Sequence, residues 1–259
     1  MTKPSIKTAA MRGDPLDCLV IDAHTQLGGF FNYYHIPYGR DDEVVAHMDA
    51  IGIDQACAFS FAGVNSDFRL GNDLIAAAVS RFPRRLHGFA TLNLNYPGTW
   101  LPELERCRGM GLVGVKIIGE YQFRKTEQAA LEPVYEYASK HGMIMLNHYW
   151  GEPAYLKGIA LRNAGACFVI GHYSLAYAEV VNEVENVYQC TCVPLGYGSM
   201  EQMVERIDAR KIVFGSDLTD LDPALGLAPI AYADMPDSKK RLILGKNMLK
   251  VLTGRLRNT

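Results

Sequence analysis

The sequence lacks three features that would restrict its location or its partners. No run approaches the roughly 18 consecutive apolar residues of a membrane-spanning helix. The formal net charge of −2 provides no basic field for nucleic acid or anionic lipid. Residues 1–16 are polar, contain two prolines and lack the apolar core of an export signal. We therefore expect a cytoplasmic protein that binds neither nucleic acid nor membrane.

Disulfide bonds are also not expected. The chain has six cysteines, and most of them lie in apolar surroundings typical of strands or helices, which favours reduced thiols. Cys190 and Cys192 form a C-x-C pair that can bind a metal. No second pair and no histidine nearby in the sequence completes such a site, so we predict none there.

The clearest pattern is an alternation of short apolar runs with longer segments of helical spacing. The short runs are rich in β-branched residues and predict buried parallel strands. They are Cys18–Ile21, Gln55–Phe59, Leu86–Leu92, Val113–Ile117, Ile144–Asn147, Cys167–Ile170, Val187–Cys190 and Ile212–Phe214.

The segments between these runs predict helices, several of which stop at a glycine or before a proline. They are Asp41–Ile51, Gly71–Phe82, Trp100–Met110, Thr126–His141, Tyr155–Ala164, Leu175–Val184, Ser199–Ala209 and Ser238–Thr253. Eight strand–helix repeats in 259 residues predict an α/β fold with one (β/α)₈ TIM barrel over residues 17–259, preceded by an N-terminal arm of residues 1–16. An open doubly wound sheet is the main alternative, but no G-x-G-x-x-G motif opens the first crossover.

Four titratable residues stand at the ends of four different predicted strands. They are His24, His148, His172 and Asp217. In a barrel these positions meet at one mouth, and three imidazoles with a carboxylate match the ligands of a catalytic zinc or similar ion. The alternatives are satisfied core histidines and, for Asp217, a helix cap.

Short motifs at these strand ends carry a family resemblance. The sequence resembles the amidohydrolase superfamily and, within it, the metal-dependent hydrolases and decarboxylases of amidohydrolase family 2. The motifs span nearly the whole chain: Ile21-Asp22-Ala23-His24-Thr25-Gln26-Leu27-Gly28, Gly114-Val115-Lys116-Ile117, Leu146-Asn147-His148, Ile170-Gly171-His172, Phe214-Gly215-Ser216-Asp217 and Ile243-Leu244-Gly245-Lys246-Asn247.

The resemblance implies a metal site and exposes one departure from the family pattern. Family members carry His-x-His on the first strand, where alternation would place Asp22, His24 and position 26 on one face. Here Gln26 replaces the second histidine, and an amide oxygen is a weaker zinc ligand than imidazole. The ligands implied are His24, His148 and Asp217, with Gln26 a further candidate. The cofactor implied is one divalent ion, zinc before manganese, and metal-free chemistry is an alternative.

The remaining site residues are assigned to proton transfer and to substrate binding. Asp217 and His172 are the predicted catalytic residues, and His172 is otherwise a further ligand. Lys116 lies where some superfamily members bridge two metals; with a first-strand histidine missing, we predict a role in substrate binding, or a structural ion pair. The mouth loops supply aromatic candidates for a substrate pocket, namely Tyr33, Tyr121 and Trp150.

The leading functional prediction is metal-assisted hydrolysis of a small lactone or amide. An ion held by His24, His148 and Asp217 would acidify a water and polarise a carbonyl, while Asp217 or His172 moves the proton. The alternatives are decarboxylation of a small unsaturated or aromatic acid, a metal-independent lactonase, and a non-catalytic binding barrel. The resemblance also implies a homo-oligomer.

Overall fold

Eight parallel strands form one continuous sheet in chain order. The structure, a computed structural model, describes residues 4–28, 36, 39–194 and 196–254. Each strand pairs in parallel with the next one along the chain. The strands are β1 (Ile21–Leu27), β2 (Gln55–Ser60), β3 (Leu86–Thr91), β4 (Gly114–Ile117), β5 (Ile144–Asn147), β6 (Cys167–Ile170), β7 (Val187–Cys190) and β8 (Ile212–Val213).

Backbone hydrogen bonds between the first strand and the segment that follows the last one close the sheet. The N–H of Ala23 donates to the carbonyl of Phe214 at 2.8 Å, and the N–H of Asp217 donates to the carbonyl of His24 at 3.1 Å. The predicted (β/α)₈ TIM barrel is therefore confirmed. The same bonds bring His24 and Asp217 together at the carboxyl end of the barrel, where active sites of this fold lie.

Helices connect successive strands and cover the outside of the barrel. The α-helices are α1 (Ile6–Arg12), α2 (Asp41–Ile51), α3 (Phe61–Asn65), α4 (Phe68–Arg81), α5 (Trp100–Gly109), α6 (Glu132–Lys140), α7 (Pro153–Arg162), α8 (Ala178–Glu183), α9 (Ser199–Arg206), α10 (Pro223–Tyr232), α11 (Asp237–Arg241) and α12 (Asn247–Gly254). A π-helical turn, Leu242–Lys246, joins the last two. Within the described residues, every helix is too short or too polar to cross a membrane.

Two apolar layers hold the barrel together. One fills its interior and includes Phe59, Phe89, Leu146 and Val169, all at most 1% exposed. The other lies between the strands and the surrounding helices. All six cysteines are free thiols, as the apolar surroundings predicted.

The largest error in the predicted strands concerns β1, which runs from Ile21 to Leu27 and not from Cys18 to Ile21. The apolar run ends at Ile21, so the sequence pattern predicts that the polar residues lie beyond the strand. They remain within it because their polar groups have buried partners: the Asp22 carboxylate accepts the N–H groups of His24 and Ser216 at 2.9 and 3.1 Å. This pairing satisfies groups that would otherwise be costly to bury.

Helix α6 begins at Glu132 and not at Thr126, because the preceding residues make other contacts. The Thr126 hydroxyl accepts from the Asn147 amide at 3.0 Å, and its carbonyl accepts from the Tyr155 hydroxyl at 3.3 Å. Helices α1, α3 and α10 were not predicted. The segment expected to be an arm contains α1, whose Ile6 is 1% exposed and donates its N–H to Asp237 at 2.9 Å.

Candidate active site

A bulge in β1 sets which of its side chains face the site. The register with β2 shifts between Asp22 and Thr25, so Ala23 and His24 together stand opposite one residue of β2. Strict alternation had predicted Asp22, His24 and Gln26 on one face, and the bulge interrupts that alternation. His24 and Gln26 reach Asp217, whereas the Asp22 carboxylate binds the backbone of His24 and Ser216. Burial raises the pKa of Asp22 to about 6, against hydrogen bonds that lower it.

Asp217 lies at the centre of the polar cluster. Its φ of +61° is rare for a residue with a side chain, although aspartate adopts it more often than most. One carboxylate oxygen, Oδ1, accepts from the Gln26 amide at 2.5 Å and lies 3.4 Å from Nδ1 of His24. The other, Oδ2, lies 3.8 Å from Nε2 of His172. The carboxylate thus connects three side chains that the sequence placed at strand ends.

Four donor side chains form a group that could hold a metal ion. His24, His172, Cys192 and Asp217 each offer one donor atom, and these atoms all lie within 4.8 Å of one another. Nδ1 of His24 and Sγ of Cys192 lie 3.2 Å apart. Cys192 was not predicted for this site, since the sequence gives no sign that the C-x-C segment meets His24 across the barrel.

The residue types of the donor group fit a zinc ion, and the donor atoms that contact His24 are spaced as zinc ligands are. Zinc bonds of about 2.0–2.1 Å to nitrogen or oxygen and about 2.3 Å to sulfur separate neighbouring ligand atoms by roughly 3.3–3.6 Å. Nδ1 of His24 lies 3.2 Å from Sγ of Cys192 and 3.4 Å from Oδ1 of Asp217, while Oδ2 of Asp217 lies 3.8 Å from Nε2 of His172. In addition, Nε2 of His172 and Oε1 of Gln26 are buried without a hydrogen-bond partner among the described residues. Buried polar atoms of this kind call for a partner such as an ion or water.

Lys116 lies inside the barrel beneath this group. It is 1% exposed, and its Nζ is 2.8 Å from Nε2 of His24 and 5.0 Å from the centroid of the Phe59 ring. Burial lowers the pKa of Lys116 to about 7, against the attraction of Asp217. Lys116 thus contacts the ring nitrogen of His24 that faces away from Cys192. The predicted role in substrate binding stays a prediction.

His148 lies beside the donor group but pairs with a residue that was not predicted. Its Nδ1 is 2.8 Å from a carboxylate oxygen of Glu120, which follows β4. Its ring stacks on that of His172 with the centroids 4.0 Å apart. Among the described residues His148 is absent from the four-donor group, so its predicted role as a ligand stays untested. Glu120 could have been found by its position, because it follows a strand end as the four predicted residues do.

Burial favours the neutral form of all three imidazoles. Burial is the largest cause of the lowered pKa values of His24 and His148, and the nearby charge of Lys116 lowers both pKa values further. Burial and the neighbouring His148 lower the pKa of His172 to about 4. Neutral imidazoles can accept a proton or bind a metal ion.

The predicted aromatic lining is only partly present at the mouth. Tyr121 lies edge-on to His148 at 5.6 Å between ring centroids, and the half-exposed Tyr149 lies edge-on to His172 at 6.0 Å. Trp150 lies in a mouth loop between β5 and α7, as expected, but its side chain packs in the layer between the strands and the helices. Its side chain is fully buried, and its indole N–H donates to the carbonyl of Val169 at 2.9 Å. Tyr33 lies outside the described residues.

Comparison with known proteins identifies the family. A model of the amidohydrolase family matches residues 21–253. The chain belongs to amidohydrolase family 2. The match covers the whole barrel, and it confirms the resemblance that the strand-end motifs carried.

Solved structures of similar fold include family enzymes with different reactions. A dihydroxybenzoic acid decarboxylase from Polaromonas sp. JS666, with bound manganese and 2-nitroresorcinol, matches with a TM-score of 0.74 and 16% identity over 93% of this chain and 98% of that chain. A probable 2-pyrone-4,6-dicarboxylic acid hydrolase from Acinetobacter baumannii matches with a TM-score of 0.70 and 16% identity over 90% of this chain and 99% of that chain. A 4-oxalomesaconate hydratase from Rhodopseudomonas palustris matches with a TM-score of 0.65 and 17% identity over 92% of this chain and 98% of that chain. At these identities the likeness establishes the fold of this amidohydrolase.

Proposed function

We propose that this amidohydrolase is a metal-dependent hydrolase of a small lactone or amide. The observation that carries the proposal is the pairing of two units at one barrel mouth. One is the donor group of His24, His172, Cys192 and Asp217, and the other is the hydrogen-bonded pair of His148 and Glu120. Hydrolysis needs both an electrophilic centre and a group that takes a proton from water.

In this proposal His24, His172 and Asp217 hold the divalent ion. An ion bound there supplies a polarised carbonyl and a water that is acidic at neutral pH. Gln26 fixes Asp217 through the 2.5 Å hydrogen bond to Oδ1, so Asp217 is held in place before the ion binds. Asp217 and His172 were predicted as the proton-transferring residues; we propose that they serve chiefly as ligands.

Proton transfer is then the task of His148. Glu120 accepts the hydrogen on Nδ1 of His148, which leaves the lone pair on Nε2 free to accept a proton. His148 takes a proton from the attacking water molecule as the water oxygen bonds to the carbonyl carbon. It returns the proton to the leaving oxygen or nitrogen as the lactone or amide bond breaks. A base oriented by a carboxylate is a recurring arrangement in hydrolytic enzymes.

Decarboxylation of a small aromatic or unsaturated acid is a second candidate. The rings of Tyr121 and Tyr149, set edge-on to His148 and His172, offer a flat apolar wall suited to an aromatic ring. Relatives of the same fold act on aromatic acids. In this reaction His172, once it has taken up a proton from solvent, delivers that proton to the carbon as the bond from this carbon to the carboxylate breaks and CO₂ leaves.

A paired assay separates the two reactions. Zinc- and manganese-loaded protein is incubated with carboxylated lactones, amides and aromatic acids, and acid release and CO₂ release are recorded together. We expect acid release without CO₂, and loss of that activity in Asp217→Asn. Release of CO₂ from an aromatic acid would support the second candidate instead. Full activity of protein shown by elemental analysis to be metal-free would contradict both.

A further inference from the structure

The place of the missing first-strand histidine is taken by an amide that does not complete the donor group. Gln26 is 1% exposed, and its Nε2 donates to Asp217. Its Oε1 has no hydrogen-bond partner among the described residues, although it is buried. A ligand set built on the family pattern would therefore lack one strong donor at this position.

Cys192 brings a stronger donor to the same space from the end of β7, which is two strands from β1 in the closed barrel. It follows β7, it is 1% exposed, and its Sγ lies 3.2 Å from Nδ1 of His24. His24 turns this nitrogen toward the thiol because its other ring nitrogen faces Lys116 at 2.8 Å. The thiol is thus directed into the donor group and not merely packed against apolar side chains.

A glycine makes room for this close approach. A Cβ atom added at Gly215 would lie 3.1 Å from Cβ of His24, 3.3 Å from Cβ of Cys192 and 2.3 Å from Sγ of Cys190. Any side chain at this position would push β1 and the segment after β7 apart. The missing side chain at position 215 therefore lets His24 and Cys192 meet.

We infer that Cys192 is a metal ligand that replaces the imidazole missing at position 26. The site is then formed by His24, His172, Cys192 and Asp217, and hydrolysis would require the ion to accept water or the carbonyl as a fifth ligand, as zinc does in some catalytic sites. This inference deepens the proposed metal-dependent function on which it rests. Cys192 releases its thiol proton to solvent when the ion binds, because the thiolate is the form that coordinates. A thiolate ligand favours zinc and cobalt over manganese, which prefers oxygen donors. This amidohydrolase should therefore select zinc.

Cys190 offers a matched control in the same segment. Cys190 is also fully buried, and its Sγ lies close to the position that a Cβ atom of residue 215 would take. Among the described residues, Cys190 is not part of the donor group. Cys190→Ser and Cys192→Ser remove the same atom from neighbouring positions. A difference between the two variants therefore reports coordination and not the general loss of a buried thiol.

The test uses full-length protein freed of metal and reloaded with cobalt(II). We expect the intense near-ultraviolet band of thiolate-to-cobalt charge transfer in the wild type and in Cys190→Ser, and its loss in Cys192→Ser. The ratio of zinc to manganese affinity should fall at least tenfold in Cys192→Ser alone. A band and an affinity ratio that survive in Cys192→Ser would overturn the inference.

A measurement on the unaltered protein covers the case in which Cys192→Ser does not fold. X-ray absorption at the zinc edge of the wild type should show one sulfur neighbour at about 2.3 Å. Bound zinc with only nitrogen and oxygen neighbours would overturn the role of Cys192 while the proposed function stands. A folded wild type that binds neither zinc nor cobalt would overturn both.

Discussion

At the scale of single residues, Gln26 tests how the donor group depends on the first strand. Its amide touches Asp217, so an imidazole at this position would enter the same group. We expect Gln26→His to raise zinc affinity about tenfold or more, because imidazole is a stronger zinc ligand than an amide oxygen. Isothermal titration of the metal-free protein measures this. Gln26→Leu, which loses the contact without adding a ligand, is the control, and equal affinity in Gln26→His and the wild type would contradict the expectation.

Glu120 tests the role proposed for His148. In Glu120→Gln the partner of Nδ1 changes from a carboxylate to an amide, so the imidazole loses its orienting charge. We expect kcat to fall about tenfold to a hundredfold, as is usual when a residue that orients another is changed, with zinc content unchanged. Glu105→Gln, which alters an exposed ion pair with Arg108, should leave kcat unaffected. Loss of zinc from Glu120→Gln would instead favour the predicted role of His148 as a ligand.

Much of the candidate site could be predicted from single residues, and the omissions have physical reasons. His24, His148, His172 and Asp217 lie together because polar residues at the ends of parallel strands meet at one edge. Cys192 was missed because a thiol resembles a small apolar residue in a strand-like segment, and its partner is distant in sequence. The burial of the Trp150 side chain was not predicted, because nothing in its sequence neighbourhood shows that the indole turns back to the carbonyl of Val169.

At the scale of elements, helices α3 and α4 meet through two glycines. A Cβ atom at Gly71 would lie 2.3 Å from the backbone nitrogen of Gly63 and 2.4 Å from its Cα. We expect Gly71→Ala to reduce the free energy of unfolding by about 1–3 kcal/mol, since backbone has to move to relieve the overlap. Denaturant unfolding followed by circular dichroism measures the change.

Gly109 in α5 is the matched control. Among the described residues, an added Cβ there meets no atom outside its own helical turn within 4 Å, and the φ of Gly109 is not positive. Gly109→Ala should therefore raise the free energy of unfolding by about 0.4–1 kcal/mol, because alanine restricts the unfolded chain. Equal effects of the two substitutions would contradict the packing described for α3 and α4.

The alternation of apolar runs predicts the bounds of a strand closely where the residues within that strand are apolar. Strands β2 to β8 agree with the predicted bounds within one residue at each end. Strand β1 does not, because it carries Asp22, His24 and Gln26 within the strand, where hydrogen bonds and the bulge accommodate them. Helix α10 was not predicted, and it contains two prolines; Pro223 occupies its first turn, where a missing N–H costs nothing.

At the scale of the whole molecule, a metal ion at the barrel mouth would link segments far apart in the chain. His24, His172, Cys192 and Asp217 come from the first, sixth, seventh and eighth repeats. Binding of an ion to the folded state alone at 100 times its Kd contributes about 2.7 kcal/mol. Removal of the ion should therefore lower Tm by about 5–10 °C for a domain of this size. Scanning calorimetry with and without chelator checks this, and an equal shift in Asp217→Ala would show that the effect arises elsewhere.

Elemental analysis of the purified protein tests the central claim most directly. Protein prepared without chelator, or freed of metal and reloaded with zinc, is analysed for bound ions after gel filtration, beside His24→Ala and Asp217→Ala. The account predicts one zinc ion per wild-type chain and a small fraction of that in either variant. A folded wild type that retains no zinc after reloading, or variants that retain as much as the wild type, would contradict it.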